Sequence, residues 1–251
     1  MLKVVIIGSG NVAQHLIRAF QNSGKALLVQ AYARTPETLY HLLDKDKVTD
    51  NYNDLAEADI YILSVSDDAI TAVSEQLPFK NGLVVHTSGS ASLQNIDNKN
   101  RRGVFYPLQT FSKNKEVDFS TIPICLESDT ESDYKLLEEL AKIISPLTYS
   151  IDSRQRQALH IAAVFVNNFT NHLYSIGNDI CKENNIQFGI LKPLIKETAD
   201  KINSLTPIEA QTGPARRKDT STIERHLDFI KDDNQKAIYT LLTQSIQAQN
   251  G

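Results

Sequence analysis

Cysteine is scarce in this chain of 251 residues. The two present, Cys125 and Cys181, have neither metal-ligand spacing nor a repeated pattern, so reduced, buried thiols are expected rather than a disulfide framework or a zinc site. No metal is expected. Apolar runs are short: none approaches the roughly 18 consecutive residues of a membrane span, and no basic-then-apolar leader opens the sequence. A cytoplasmic protein with no membrane partner is the expectation. Positive charge is not in excess either. Twenty-six Lys and Arg stand against thirty Asp and Glu, a formal net charge of −4, so no global field draws the chain to nucleic acid. With 41% hydrophobic residues and ten glycines, the composition is that of an ordinary globular chain able to bury a core.

Residues 2–7 are nearly all apolar and largely β-branched, as a strand covered on both faces of a parallel sheet requires. The strand runs into glycine. Val12, Ala13, Leu16, Ile17 and Phe20 then recur at helical spacing, and Gly24 supplies a stop. Strands are expected over 27–33, 60–65, 83–86, 104–106 and 122–126, with helices over 36–43, 67–77 and 131–144. That alternation predicts an α/β fold, a doubly wound parallel sheet. After residue 151 the periodicity is helical throughout. It predicts one long helix within 152–184 and further helices over 188–205 and 219–249, so the domains are expected at 1–151 and 152–251.

Gly8-Ser9-Gly10-Asn11-Val12-Ala13 fits G-x-G-x-x-A between a strand and a helix, the context a dinucleotide site needs. Gly8 permits the turn, Gly10 lacks the Cβ that would block a diphosphate, and Ala13 lets the helix pack close. The free amides at the helix start, around Asn11 and Val12, then face the phosphates. No Asp or Glu lies between Lys25 and Pro36 to bind a ribose hydroxyl; Arg34 and Thr35 stand there instead. A guanidinium suits a 2′-phosphate, which favours NADP(H) over NAD(H). Strand ends elsewhere add Val65 and Ser66, with Ser66 or Asp67 as helix cap or ribose neighbour, and Thr87 and Ser88 in a donor-rich turn after His86. That turn suits a carboxamide or carbonyl, or is simply a turn.

In the helical half, His160 shares a stripe with Asn168, combining a group that titrates near neutrality with an amide. General acid chemistry and a core histidine both fit. Thr212-Gly213-Pro214-Ala215-Arg216-Arg217-Lys218-Asp219 gathers three cations before a helix. Arg217 there suits an anionic substrate group, with Asp219 orienting it or capping the helix.

These motifs, together with Tyr106-Pro107-Leu108-Gln109-Thr110-Phe111 and His226-Leu227, resemble the Rossmann-like proteins with a C-terminal domain of unknown function 2520. They cover nearly the whole chain. The resemblance extends in architecture to pyrroline-5-carboxylate reductase, to coenzyme-F420-dependent NADP oxidoreductases and to 6-phosphogluconate and β-hydroxyacid dehydrogenases. It implies an NADP-linked oxidoreductase with a 6-phosphogluconate-dehydrogenase-like helical second domain, a small-molecule substrate and a homodimer. The β-hydroxyacid dehydrogenases carry a lysine on the first long helix after the Rossmann domain; here no lysine lies between Asp152 and Lys182, and His160 is the nearest substitute. Where the group usually reads Arg-Gly-Asp, this chain has Arg217-Lys218-Asp219. Two functions follow: a reductase of a small, anionic carbonyl, imine or hydroxy-acid compound, or an NADP(H)-binding sensor without catalysis.

Overall fold

The computed structural model describes residues 1–113 and 115–249. It divides into two compact units, Met1–Asn167 and Asn168–Gly251.

The first unit is built on β1 (Leu2–Ile7), α1 (Asn11–Ser23), β2 (Ala26–Tyr32), β3 (Val48–Thr49), β4 (Ile60–Leu63), α2 (Ile70–Glu75), β5 (Leu83–His86), β6 (Arg101–Pro107), β7 (Ile124–Ser128), α3 (Glu131–Ile144), β8 (Thr148–Ser150) and α4 (Ser153–Ala163). The eight strands form one sheet in the order β3-β2-β1-β4-β5-β6-β7-β8. All pairs are parallel except β6 with β7, which run antiparallel. The sheet is therefore not wholly parallel as its alternation suggests. Chain order reverses at β1, whose neighbours are β2 and β4. A ligand crevice opens beside such a switch point, at the carboxyl ends of the strands.

β1 reads as an unbroken apolar run because both its faces are covered. Val4 and Ile6 pack with Ala13, Leu16, Ile17 and Phe20 of α1 and with Leu137 and Leu140 of α3. Val5 and Ile7 turn the other way, toward Tyr61, Leu63 and Ile70. Burying each such large side chain contributes about 1.5–3 kcal/mol. α1 ends at Gly24 in the left-handed conformation, φ 61°, which a residue without a Cβ adopts at little cost. α4 starts in a capping box: the Asp152 carboxylate accepts from the Gln155 amide and the Gln155 side chain accepts from the Asp152 amide.

Several elements differ from the periodicity. Residues 36–43 form only a short 3₁₀ turn at Pro36–Thr38, because the Thr38 hydroxyl donates back to the Thr35 carbonyl at 2.6 Å and competes with helical bonding. β3 and β8 are too short to carry an alternation. The helical run after Asp152 is not uniform: α4 is followed by a π-helical stretch, Val164–Phe169, then α5 (Thr170–Glu183). Such π insertions recur at functional positions.

The second unit continues with α6 (Lys192–Lys201), α7 (Pro207–Ala210), α8 (Thr220–Phe229) and α9 (Asp233–Gln249). The span 219–249 is thus two helices rather than one. Among the described residues of this unit, the buried hydrophobic side chains are Cys181 and Ala215, while Ile190, Leu194, Phe229 and Leu241 are more than half exposed. No described helix is long and apolar enough to cross a membrane.

Candidate dinucleotide site and strand-end cluster

The two glycines of the first turn are glycine for different reasons. Gly8 has φ 134°, and a Cβ there would lie 2.1 Å from the Ser64 carbonyl oxygen. The fold itself forbids a side chain. Gly10 is extended, φ −70° and ψ −179°, and a Cβ on it would meet no protein atom within 4 Å. Nothing inside the protein demands glycine at that position. Gly10 also opens α1 without a side-chain cap, and the first turn holds no acidic residue. An uncapped helix start carries unpaired amides and partial positive charge beside a Cβ-free space, which fits a diphosphate.

Around this turn, the Gly8 amide donates to the Tyr32 carbonyl at 2.9 Å. The Ser9 carbonyl accepts from the Gln14 side chain at 3.0 Å, and the Asn11 amide side chain reaches the Phe111 carbonyl at 2.9 Å. The loop is thereby fixed by its own neighbours. Val12 is half-buried against the core. Arg34 and Thr35 follow β2 and are both exposed; among the described residues no ion pair forms at Arg34. The adjoining Tyr32 ring stacks on Tyr52 with centroids 4.1 Å apart.

At the ends of β4 and β5, Val65 is half-buried, and the exposed Ser66 starts a 3₁₀ turn without using its hydroxyl as a cap. The Thr87 hydroxyl lies 3.4 Å from that of Ser64. Ser88 is committed to the turn, since its hydroxyl accepts from the amides of Ser90 at 3.1 Å and Ala91 at 2.9 Å. His86 is fully buried. Its Nδ1 accepts from the Ser88 amide at 3.2 Å and its Nε2 faces the Ser92 carbonyl at 3.3 Å, a pattern that fits the neutral ring with the proton on Nε2. Burial, then the nearby Arg156 guanidinium, pushes its pKa down to about 4. His86 is thus a neutral support for the turn at physiological pH.

α4 closes over the same turn. Arg156, fully buried, forms an ion pair with Glu127 and donates to the carbonyls of Ser88, at 3.2 Å, and Ala91. Gln157 donates to the Ser90 carbonyl at 3.1 Å, while the Ser90 hydroxyl donates to Asp67. One turn further along α4, His160 Nδ1 lies 3.2 Å from the Tyr106 hydroxyl. The two rings meet edge-on, 6.2 Å apart. Gly89 makes room for them: a Cβ there would sit 2.5 Å from His160 Nδ1 and 2.8 Å from the Tyr106 oxygen. Burial pushes the Tyr106 phenol up to about 12.

His160 and Ser88 therefore come together with Tyr106, Gly89 and Arg156. Sequence reasoning singled out the first two and not the other three. Tyr106 lies inside the Tyr106-Pro107 motif and Gly89 inside the turn that drew attention, whereas Arg156 carried no signal.

In the second unit, Asn168 is exposed within the π-helical stretch. Asp219 caps α8, its carboxylate accepting from the Thr222 amide at 3.2 Å and the Ser221 hydroxyl at 3.1 Å. These hydrogen bonds, Thr222's first, hold its pKa below the ordinary carboxylate value. Arg216 is drawn back onto the carbonyls of Glu209 and Gln211, while Arg217 is exposed, with no ion pair among the described residues. Lys218 has φ 54°, in the left-handed region where its Cβ costs about 1 kcal/mol. Lys218→Gly is expected to stabilise the unit by about 1 kcal/mol, read as a rise in thermal midpoint; a fall would show that the lysine side chain makes up for the strain.

Among the described residues no group of three or more His, Cys, Asp or Glu could hold a metal ion. A mostly parallel sheet with a glycine turn at its switch point, followed by a helical unit, places the chain among the Rossmann-type dinucleotide-binding proteins. Residues 3–89 match the family model described as NADP oxidoreductase, coenzyme F420-dependent. Residues 122–246 match the domain of unknown function DUF2520. A candidate NADP oxidoreductase of Bacteroides fragilis, known from its crystal structure, is 38% identical, with 98% of each chain covered and a TM-score of 0.90. The chain belongs to this family of two-part NADP oxidoreductases. In fold it is also similar to an imine reductase from Pseudomonas sp., at 14% identity over 99% of this chain and 94% of that one, TM-score 0.70. The pyrroline carboxylate reductase of Plasmodium falciparum, solved with NADP bound, matches at 11% identity over 100% and 98%, TM-score 0.64.

Proposed function

We propose that the chain is an NADP-dependent oxidoreductase that reduces a small carbonyl or imine compound carrying an anionic group or, in the reverse direction, oxidises the corresponding hydroxy acid. The observation that carries this reading is Gly10: a glycine the fold does not need, at the uncapped start of α1. Residues 1–151 form the cofactor domain and residues 152–251 the domain for substrate and dimerisation. Gly8, Ser9, Gly10, Asn11 and Val12 present backbone to the diphosphate. Arg34 and Thr35 hold the 2′-phosphate, and Val65, Ser66, Thr87 and Ser88 line the nicotinamide side. The bound nicotinamide supplies a hydride. His160 supplies the proton to the substrate oxygen or nitrogen, and the buried Arg156 keeps the turn that faces it rigid. Asn168, Arg217 and Asp219 serve the substrate, Arg217 as a two-pronged partner for a carboxylate or phosphate.

The test is NADPH oxidation, followed by absorbance, across a panel of oxo-acids, imines and aldehydes. Turnover that falls about 10²–10⁴-fold in His160→Ala supports the reductase; tight NADPH binding with no turnover on the whole panel supports a sensor. For cofactor choice, Arg34→Ala is expected to weaken NADPH binding about 10–100-fold, one charged contact, and to leave NADH binding unchanged. Equal wild-type affinities for the two dinucleotides would refute the Arg34 assignment.

The second unit's partner in this reading is a second copy of the chain. Supporting it, Ile190, Leu194, Phe229 and Leu241 each expose 62–69% of their surface, apolar area that a second copy would cover. Sedimentation equilibrium should give a dimer that Leu194→Asp dissociates; a wild-type monomer at micromolar concentration would contradict it.

A further inference from the structure

We infer that Tyr106 is a positioning residue for His160, fixing its neutral ring with the proton on Nε2, and that Gly89 is glycine so that this pair can form. The inference rests on the proposed reductase reading for its chemical consequence, and on the geometry alone for its existence.

Tyr106 sits near the carboxyl end of β6 with its ring packed among Leu93, Val104 and Cys125, and it is 9% exposed. A phenol so buried keeps its proton throughout the working pH range, and among the described residues His160 Nδ1 is its hydroxyl's one hydrogen-bond partner, so that buried hydrogen is satisfied by donating to a bare Nδ1. Its hydroxyl lies 3.2 Å from His160 Nδ1, and a nitrogen that accepts a hydrogen bond cannot carry the ring proton. The proton is thereby placed on Nε2. Among the described residues no partner engages that atom, which leaves it free to serve a ligand. Across the pair stands Gly89, where any side chain would overlap both His160 Nδ1 and the Tyr106 oxygen. The turn's carbonyls are held by Arg156 and Gln157, so it cannot easily withdraw to admit one.

In a proton transfer, this arrangement sets which nitrogen gives its proton up. The step starts from the imidazolium: its Nδ1–H donates to the Tyr106 oxygen, Nε2 gives its proton to the substrate oxygen or nitrogen, and a neutral ring is left. The phenol itself changes no bond. Tyr106 therefore acts on rate through the orientation and tautomer of His160.

The experiment is ¹⁵N-histidine nuclear magnetic resonance on the full chain, reading the tautomer from one-bond and two-bond couplings, with the His160 signals assigned by their loss in His160→Gln. Wild-type protein at a pH where the ring is neutral is expected to show the Nε2-protonated form. Tyr106→Phe, which retains the ring packing, should shift the ratio of tautomers about fivefold toward Nδ1, the size of one neutral hydrogen bond. Gly89→Ala should do the same by a different route. A wild-type Nδ1-protonated ring, or a ratio unchanged in both variants, overturns the inference. If the tautomer behaves as expected while calorimetry detects no NADPH binding, the reductase reading fails and this pairing stands; the converse result removes the pairing alone.

Discussion

Gly10→Val is expected to leave the fold intact and to weaken NADPH binding by more than about a hundredfold, whereas Gly8→Ala is expected to damage the fold itself. The contrast follows from the surroundings of each position. A Cβ at Gly10 meets no protein atom within 4 Å beyond its chain neighbours, and the backbone there is extended. The valine therefore costs only the cap preference, about 1 kcal/mol. It does fill the space a diphosphate would take beside the helix start. At Gly8 the added Cβ would lie 2.1 Å from a backbone oxygen of Ser64, at φ 134°. Either β1 and β4 separate there or the turn reshapes, and several kcal/mol of stability are lost, on the order of 3 kcal/mol or more. Thermal melts with and without NADPH separate the two cases. A Gly10→Val protein that melts like wild type and binds NADPH like wild type would contradict a diphosphate site at this turn.

Arg156→Ala should be the most damaging single change outside the sheet core, at about 3–5 kcal/mol, because it strands Glu127 and leaves a buried turn without its donors. The guanidinium is fully buried and serves Glu127 and the carbonyls of Ser88 and Ala91 at once. A chain of this size loses about 2–4 °C of thermal midpoint per kcal/mol, so a drop of roughly 10 °C is expected. Arg156→Lys should recover little of it, since one ammonium cannot span the same set of acceptors. A drop under about 2 °C, or full recovery by lysine, would show that the cluster is held by something else.

These two sites differ in how plainly the sequence announces them. The glycine turn is local: strand, glycine, helix start and the first helical stripe all lie within residues 2–24, so the physics that shapes them is written in neighbouring positions. Even so, spacing alone treats Gly8 and Gly10 alike. Only the approach of Ser64, from a strand far along the chain, separates a glycine required by packing from one that leaves room for a ligand. Arg156 is the opposite case. Its partners lie 68, 65 and 29 residues away, and at the start of an amphipathic helix it reads as one more solvated cation. Tyr106 and His160, 54 residues apart, meet only because β6 lies beside β5 and α4 crosses the turn after β5. The antiparallel β7 was hidden for a related reason: a strand's direction depends on the connection before it, and residues 108–123 carry no periodicity to reveal one.

The helical half was legible as helices and less so in its interruptions. The interruptions are the π-helical stretch at Val164–Phe169 and the break between α8 and α9. Lys218 is instructive. In the resembled family that position is usually glycine, and the backbone here still adopts the left-handed conformation, φ 54°, that a glycine would hold without strain.

The most direct test of the central claim is isothermal calorimetry of NADPH and NADH into the folded chain. A dinucleotide site at the Gly8–Gly10 turn predicts saturable binding at one dinucleotide per chain, tighter for NADPH, and lost in Gly10→Val protein that still melts cooperatively. Wild-type protein that melts cooperatively yet gives no heat with either dinucleotide at millimolar concentration would contradict it.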